Sequence, residues 1–213
     1  EEKKGLEGDD CNEMKDPMTP YIRGLDAINP MDSAFHNAIS SGITSMMIGP
    51  GSSNVVGGQW AFIKADGRCI DDMVVLEPSA MKVAFGENPK GTYNELGMIP
   101  TTRMTMAAML REELFNAREY LKNKESAEKN GEKFEIDFKA ECWVPVLKRR
   151  IPLKAHVHRT DDILTAIRIA KEYDLDMTLD HCTEGHLIAK EIKGSGFPAI
   201  IGPTLASRNK IEV

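Results

Sequence analysis

Short apolar runs alternate along this chain with longer stretches of helical periodicity. Residues 42–50 (GITSMMIGP) and 197–205 (FPAIIGPTL) read as buried strands, and 81–89 (MKVAFGENP), 151–157 (IPLKAHV) and 176–181 (DMTLDH) as further short strands. Residues 60–78 (WAFIKADGRCIDDMVVLEP) predict a hairpin about Asp66 and Gly67. Between these runs lie predicted helices. The first, 31–40, is entered at Pro30 or Asp32 and closed by Gly42. The second, 101–124, buries a stripe of Met106, Met109, Leu110, Leu114 and Ala117. A polar linker (126–135) leads to a third over 136–150, bent at Pro145, with a basic end from Lys148 to Arg150. A fourth, 160–176, opens on Thr160 as N-cap with Asp161 and Asp162 in its first turn, and 190–196 forms a last short one.

Strand, loop and helix repeated in this order predict a parallel α/β architecture. The predicted strands fit either a doubly wound sheet or part of a (β/α)8 barrel. A complete barrel typically takes about 250 residues, so 213 residues would make an incomplete one. The chain begins within a polar segment without Met and stops at Val213 as a new element starts, which reads as a piece of a longer polypeptide.

The stretch 151–188 organises the rest. A crossover of this length makes its two strands parallel and adjacent, with their carboxyl ends on one side of the sheet. That is the side on which α/β folds place their chemistry. It brings together His156 and His181, which are 25 residues apart in sequence. His158 shares a strand face with His156, because side chains alternate with period 2. By the same rule Asp180 faces away from His181.

Composition narrows the function classes. With 41% hydrophobic and 28% charged residues the chain is an ordinary globular one. A net charge of −6, with no basic run interleaved with aromatics, argues against nucleic acid. No apolar run reaches the roughly 20 residues of a membrane span, and the N-terminus has no signal-peptide core. Cys11, Cys69, Cys142 and Cys182 are scattered and form no CxxC pair, which predicts reduced thiols and a cytoplasmic location. Cys182 reads as a packing residue. His36 and His186 read as surface or supporting residues. The loop 50–59 (PGSSNVVGGQ) is either a tight turn or the wall of a ligand site with Asn54 and Gln59, and it matches no phosphate-binding fingerprint. Glu87, at a strand's carboxyl end, is either a metal ligand or a helix cap. Arg103 and Arg159 are candidates for neutralising an anionic substrate group.

These residues carry a resemblance. The passages NEMKDPMTP, IGPGSSNVVGGQ, AFGENPKGTY and TRMTMAAMLRE, then LKAHVHRTDDILTAIRIAKEYDLDMTLDHCTEGHLIA and IIGPTLASRNK, are similar to the interior of amidohydrolase-superfamily enzymes. Imidazolonepropionase-like members are nearest and N-acetylglucosamine-6-phosphate deacetylase is more distant. The resemblance implies that residues 1–213 form the central part of a metal-dependent hydrolase barrel, lacking its first strand and its last. It implies a divalent metal, zinc by preference, held by Glu87, His156 and His181, with His158 as alternative ligand. Asp161, Glu184 or a backbone carbonyl would orient the imidazoles. Water activated by the metal would cleave a C–N bond of a cyclic amide, an acyl-amino compound or a dipeptide-like small molecule. The first-strand HxH pair and the general-base aspartate are expected outside the chain, so the chain alone is expected to be inactive. An incomplete barrel exposes apolar edges, which invites self-association into a homo-oligomer. The alternative is a non-catalytic β/α scaffold with structural histidines.

Overall fold

The computed structural model describes residues 9–202. The polar start (1–8), the end of the last predicted strand (203–205) and the element starting near Lys210 lie outside the described residues. The chain forms a mixed α/β fold on one six-stranded sheet whose order follows the sequence, β1-β2-β3-β4-β5-β6. The strands are β1 (Ser45–Ile48), β2 (Val56–Lys64), β3 (Val74–Ala84), β4 (Leu153–Val157), β5 (Met177–His181) and β6 (Ala199–Ile201).

Two of the strand expectations are corrected here. The strand 42–50 does not open a parallel β/α unit, since β1 pairs antiparallel with β2, and β2 antiparallel with β3. The connections, 49–55 and 65–73, are too short for the crossover that a parallel pair requires. The second correction concerns β3, which is one strand where the sequence suggests two segments divided at Pro78. Proline has no N–H for the ladder, yet β3 passes through it because the pairing with β2 shifts register there, Trp60 facing Ala80 and Phe62 facing Leu76. From β3 onward the sheet is parallel, as the pattern predicts: β3 with β4, β4 with β5, and β5 with β6.

The crossovers hold most of the helix: α1 (Ser33–Ser40) precedes β1, α2 (Ile70–Met73) lies between β2 and β3, and α3 (Glu87–Glu95) follows β3. The long α4 (Arg103–Asn130) starts at Thr102, whose hydroxyl accepts the Thr105 N–H, and ends at Gly131 in the left-handed region (φ 68°). It therefore consumes the first half of the predicted linker, and Ala127 there is buried. The predicted helix over 136–150 is two single turns, α5 (Phe138–Glu141) and α6 (Val144–Leu147), with Pro145 in the first turn of α6. Helix α7 (Thr160–Glu172) spans β4 to β5, and α8 (Ala189–Ser195) precedes β6.

Alternation along the parallel strands decides what each face does. Met81 and Val83 of β3, Leu153, Ala155 and Val157 of β4, and Met177 and Leu179 of β5 turn to the helices. There they close the main core with Met106, Leu110 and Leu114 of α4 and Ile163, Ile167 and Ala170 of α7. The opposite face carries Lys82, Lys154, His156 and Asp180, all buried. The last predicted strand was expected to be buried, but β6 is exposed at all three positions. Among the described residues it lies at the edge of the sheet and pairs only with β5.

Candidate metal centre

The polar face is built in two tiers. In the lower tier the Lys154 ammonium lies 3.0 and 2.9 Å from the two Asp180 carboxylate oxygens, and Lys82 Nζ lies 3.8 Å from Oδ2. Thr178 Oγ1 donates to the same carboxylate at 3.2 Å. Both ammonium groups stand over the Trp60 ring, 5.4 Å (Lys82) and 5.1 Å (Lys154) from its centre. Burying a charge is costly unless it is paired and hydrogen-bonded. This carboxylate, its two lysines and an aromatic face meet that condition across β2, β3, β4 and β5.

The upper tier lies at the carboxyl ends of β4 and β5. His156 is next to Asp180 in the parallel register and on the same face, and His158 follows two residues later. Alternation would send His181 to the helix side. It does not, because His181 (φ 66°) and Cys182 (φ 48°) both adopt the left-handed region, which ends the strand and turns the imidazole back. Such backbone costs on the order of 1–3 kcal/mol per residue and persists only where its surroundings enforce it. Here Cys182 N–H donates to Val157 O at 2.9 Å, Glu184 N–H to His158 O at 2.9 Å, and Gly185 N–H to Cys182 O at 2.8 Å. As a result, the His156 ring lies 4.6 Å from the rings of both His158 and His181, and the latter two stack at 5.0 Å. The inference that Asp180 and His181 lie on opposite faces is thereby corrected.

The nitrogen atoms are individually held. His181 Nδ1 is 2.6 Å from Gly202 O, so it carries the proton and leaves Nε2 with its lone pair. Asn88 Nδ2 lies 3.3 Å from His156 Nε2, and an amide nitrogen can only donate. His158 Nδ1 is 2.7 Å from Thr183 Oγ1, and its Nε2 is 3.1 Å from His156 Nε2. One nitrogen from each ring falls within 4.8 Å of the others. A tetrahedral zinc-like ion, with Zn–N near 2.0–2.1 Å, would set its nitrogens about 3.4 Å apart. The 3.1 Å pair is close to that spacing. Three neutral imidazoles are also a donor set for borderline divalent metals, so this cluster fits a metal ion.

The remaining sequence candidates sit elsewhere. Glu87 is the first residue of α3 and lies outside the three-histidine group, beside a cavity of about 430 Å³ also lined by Ser53, Asn88, Thr92 and Glu95. Asn54 is buried, and its amide donates to Glu13 O and Asp16 O, each at 2.7 Å, and to the Tyr93 hydroxyl, tying down the segment before β1. Burial and the nearby Asp16 and Glu13 carboxylates push the Tyr93 phenol well above its usual range. Gln59 donates to Pro20 O from within β2. Arg103 pairs with Asp162 and Asp161 of α7, and Arg159 with Asp161. Glu184 accepts the Thr160 N–H at 2.8 Å, so it caps α7 in the place expected of Thr160 itself, which is the first helical residue. Cys182 is buried, and burial raises its thiol pKa, consistent with a packing role. His36 and His186 are exposed.

Sequence reasoning missed Asn88, Thr183 and the Lys82–Asp180–Lys154 tier, and it allowed for a backbone carbonyl without identifying Gly202. Lys154 carried a usable signal, since it alternates with His156 and His158 in LKAHVH. Thr183 and Asn88 stood beside flagged residues without any periodic signal.

No family profile matches the chain. Among curated proteins, the amidohydrolase tasK of Hapsidospora irregularis is 27% identical over 206 residues, covering 86% of this chain and 21% of its own length. Among solved structures, an amidohydrolase from Thermotoga maritima MSB8 superposes with a TM-score of 0.96 at 43% identity, over 100% of this chain and 56% of that one. The chain thus spans about a fifth of the first protein and just over half of the second.

Proposed function

Taking the chain as an amidohydrolase-family polypeptide, we propose that it contributes His156, His158 and His181 to a metal-dependent hydrolytic centre for C–N bonds. The observation that carries this reading is the convergence of three hydrogen-bonded imidazoles at the carboxyl ends of two adjacent parallel strands. Sequential strand order from β3 to β6, each parallel pair joined through helix, supports a length of (β/α)8 barrel wall as the setting. Zinc is the ion that suits the donors best. When bound, it supplies Lewis acidity toward a water and toward the carbonyl under attack.

The chain's own residues orient the site. Gly202 O fixes the His181 tautomer and Thr183 holds His158, while Asn88 stands beside His156 Nε2, the nitrogen that would turn to the metal. The buried lysine–aspartate tier beneath them stiffens the strands from which they project. Glu87 stands at the neighbouring strand end and remains our proposed carboxylate contributor. The general base and the first-strand ligands belong, in this reading, to parts of the whole protein beyond the described residues, so the chain alone is inactive. The substrate is a small cyclic amide, acyl-amino or dipeptide-like molecule. Asn54, Gln59, Arg103 and Arg159, which all hold intramolecular partners here, are secondary candidates for contacting it. The four free cysteines support a cytoplasmic location.

The test uses the whole protein with a panel of N-acyl amino acids and dipeptides. Chelation should reduce hydrolysis by at least about 100-fold, and one added equivalent of zinc should restore it. Hydrolysis that is insensitive to chelation, or absent across the panel with zinc bound, contradicts the reading.

A further inference from the structure

The three imidazoles are held by three chemically different partners, and the difference has a consequence. A carbonyl only accepts, so Gly202 O permits a single tautomer of His181. An amide NH₂ only donates, so Asn88 requires a lone pair on His156 Nε2. That lone pair faces His158 Nε2 at 3.1 Å, a distance that places a proton on His158 Nε2 when the cluster is empty of metal. His158 Nδ1 then carries the lone pair, and the Thr183 hydroxyl donates to it. For His158 Nε2 to ligate a cation, its proton must move to Nδ1. The same hydroxyl must then accept. A hydroxyl does both, whereas a carbonyl or an amide nitrogen in its place would lock one state.

The loop carrying Thr183 is fastened to the residues it acts upon. Glu184 N–H donates to His158 O, Glu184 Oε2 accepts the Thr160 N–H, and Cys182 N–H donates to Val157 O. Residues 182–184 therefore grip the main chain of 157–160 at three points, two through their own N–H groups and one through the Glu184 carboxylate, and the Thr183–His158 bond joins side chain to side chain. We propose that Thr183 is a positioning residue. Its hydroxyl exchanges donor and acceptor roles so that His158 can pass from an Nε2–H imidazole, bonded to His156, to an Nδ1–H imidazole that joins the ligand set. Glu184 keeps it in reach through the main chain. This rests on the metal reading above, and the two are separable by experiment.

Long-range ¹H–¹⁵N NMR of the imidazoles, with and without zinc, reads the tautomers directly. In the metal-free chain His158 should be Nε2–H and His181 Nδ1–H, and one equivalent of zinc should convert His158 to Nδ1–H. Thr183→Val, nearly the same shape, should leave metal-free His158 as Nε2–H, because the His156 lone pair still selects that tautomer. It denies Nδ1–H an acceptor, however, and should weaken zinc binding by about 10–100-fold, the usual effect of losing an outer hydrogen bond to a ligand. Thr183→Ser should restore the affinity. Glu184→Gln, which keeps an acceptor oxygen, should fall between parent and Thr183→Val. If the parent binds no zinc, the metal reading fails and this proposal with it. The proposal alone is overturned if the parent binds zinc but metal-free His158 is already Nδ1–H, if Thr183→Val matches the parent in affinity, or if Thr183→Ser behaves as Thr183→Val.

Discussion

His181→Ala should lower zinc affinity by more than about 100-fold, a larger loss than the roughly 10–100-fold expected from removing an outer hydrogen-bond partner. The variant takes away one of three converging nitrogens, and no other His, Cys, Asp or Glu among the described residues joins that group. Its effect on the fold should be small. The imidazole is only half-buried, and its Nδ1 bonds a carbonyl near the edge strand β6. The left-handed backbone at 181 and 182 is held by main-chain bonds from Cys182, Glu184 and Gly185, which alanine leaves in place. Isothermal titration with zinc beside a thermal melt separates the two effects. An affinity within threefold of the parent would remove His181 from the ligand set.

The second large effect concerns the tier below. Asp180→Ala should destabilise the fold by about 3–5 kcal/mol, the usual result of removing one partner from a buried ion pair. It leaves the Lys154 ammonium, and the neighbouring one of Lys82, buried beside Trp60 without the carboxylate that both approach. Cation–π attraction, on the order of 0.5–2 kcal/mol, offsets only part of the loss. Asp180→Asn keeps an acceptor oxygen for Lys154 and should cost less. The double variant Asp180→Leu with Lys154→Met should recover much of the stability, because apolar replacements can substitute for a buried pair. Urea unfolding monitored at Trp60 and Trp143 measures this. A loss below about 1 kcal/mol for Asp180→Ala would mean that water, not protein, solvates these ammonium groups.

The legible part of this chain was its local grammar. The unit from β4 through α7 to β5 announced itself by apolar runs flanking a helix-periodic stretch, and period-2 alternation correctly paired His156 with His158. The α4 stripe was readable for the same reason, although its end was not. Ser126 to Asn130 have no apolar periodicity, and only the left-handed Gly131 stops the helix. What escaped the sequence depended on pairing between distant segments. The hairpin about Asp66 and Gly67 was legible and is the antiparallel β2–β3 pair, whereas the pairing of β1 with β2 was not. The strands' full extent hid behind a Gly-Gly pair in β2 and Pro78 in β3, both of which argue locally against strand. Gly58, at φ 125°, packs where an added Cβ would lie 2.4 Å from Ile22 O, so the glycine serves close approach within a strand.

At the site, the alternation rule that worked on β4 failed on β5, since it assumes extended backbone and His181 is not extended. The amidohydrolase resemblance pointed to His156 and His181, with His158 as alternative, without the turn that makes the three meet. The roles of Asn88 and Thr183 are set by distances of 3.3 and 2.7 Å across the fold, which no spacing in sequence encodes.

The central claim is that His156, His158 and His181 form one metal-binding set. Cobalt(II) added to the metal-free chain tests it most directly. The predicted result is one saturating equivalent with the intense visible absorption of a tetrahedral, nitrogen-rich site, lost in the His156→Ala variant. Weak, non-saturating binding with the pale spectrum of octahedral cobalt, unchanged by that substitution, would contradict it.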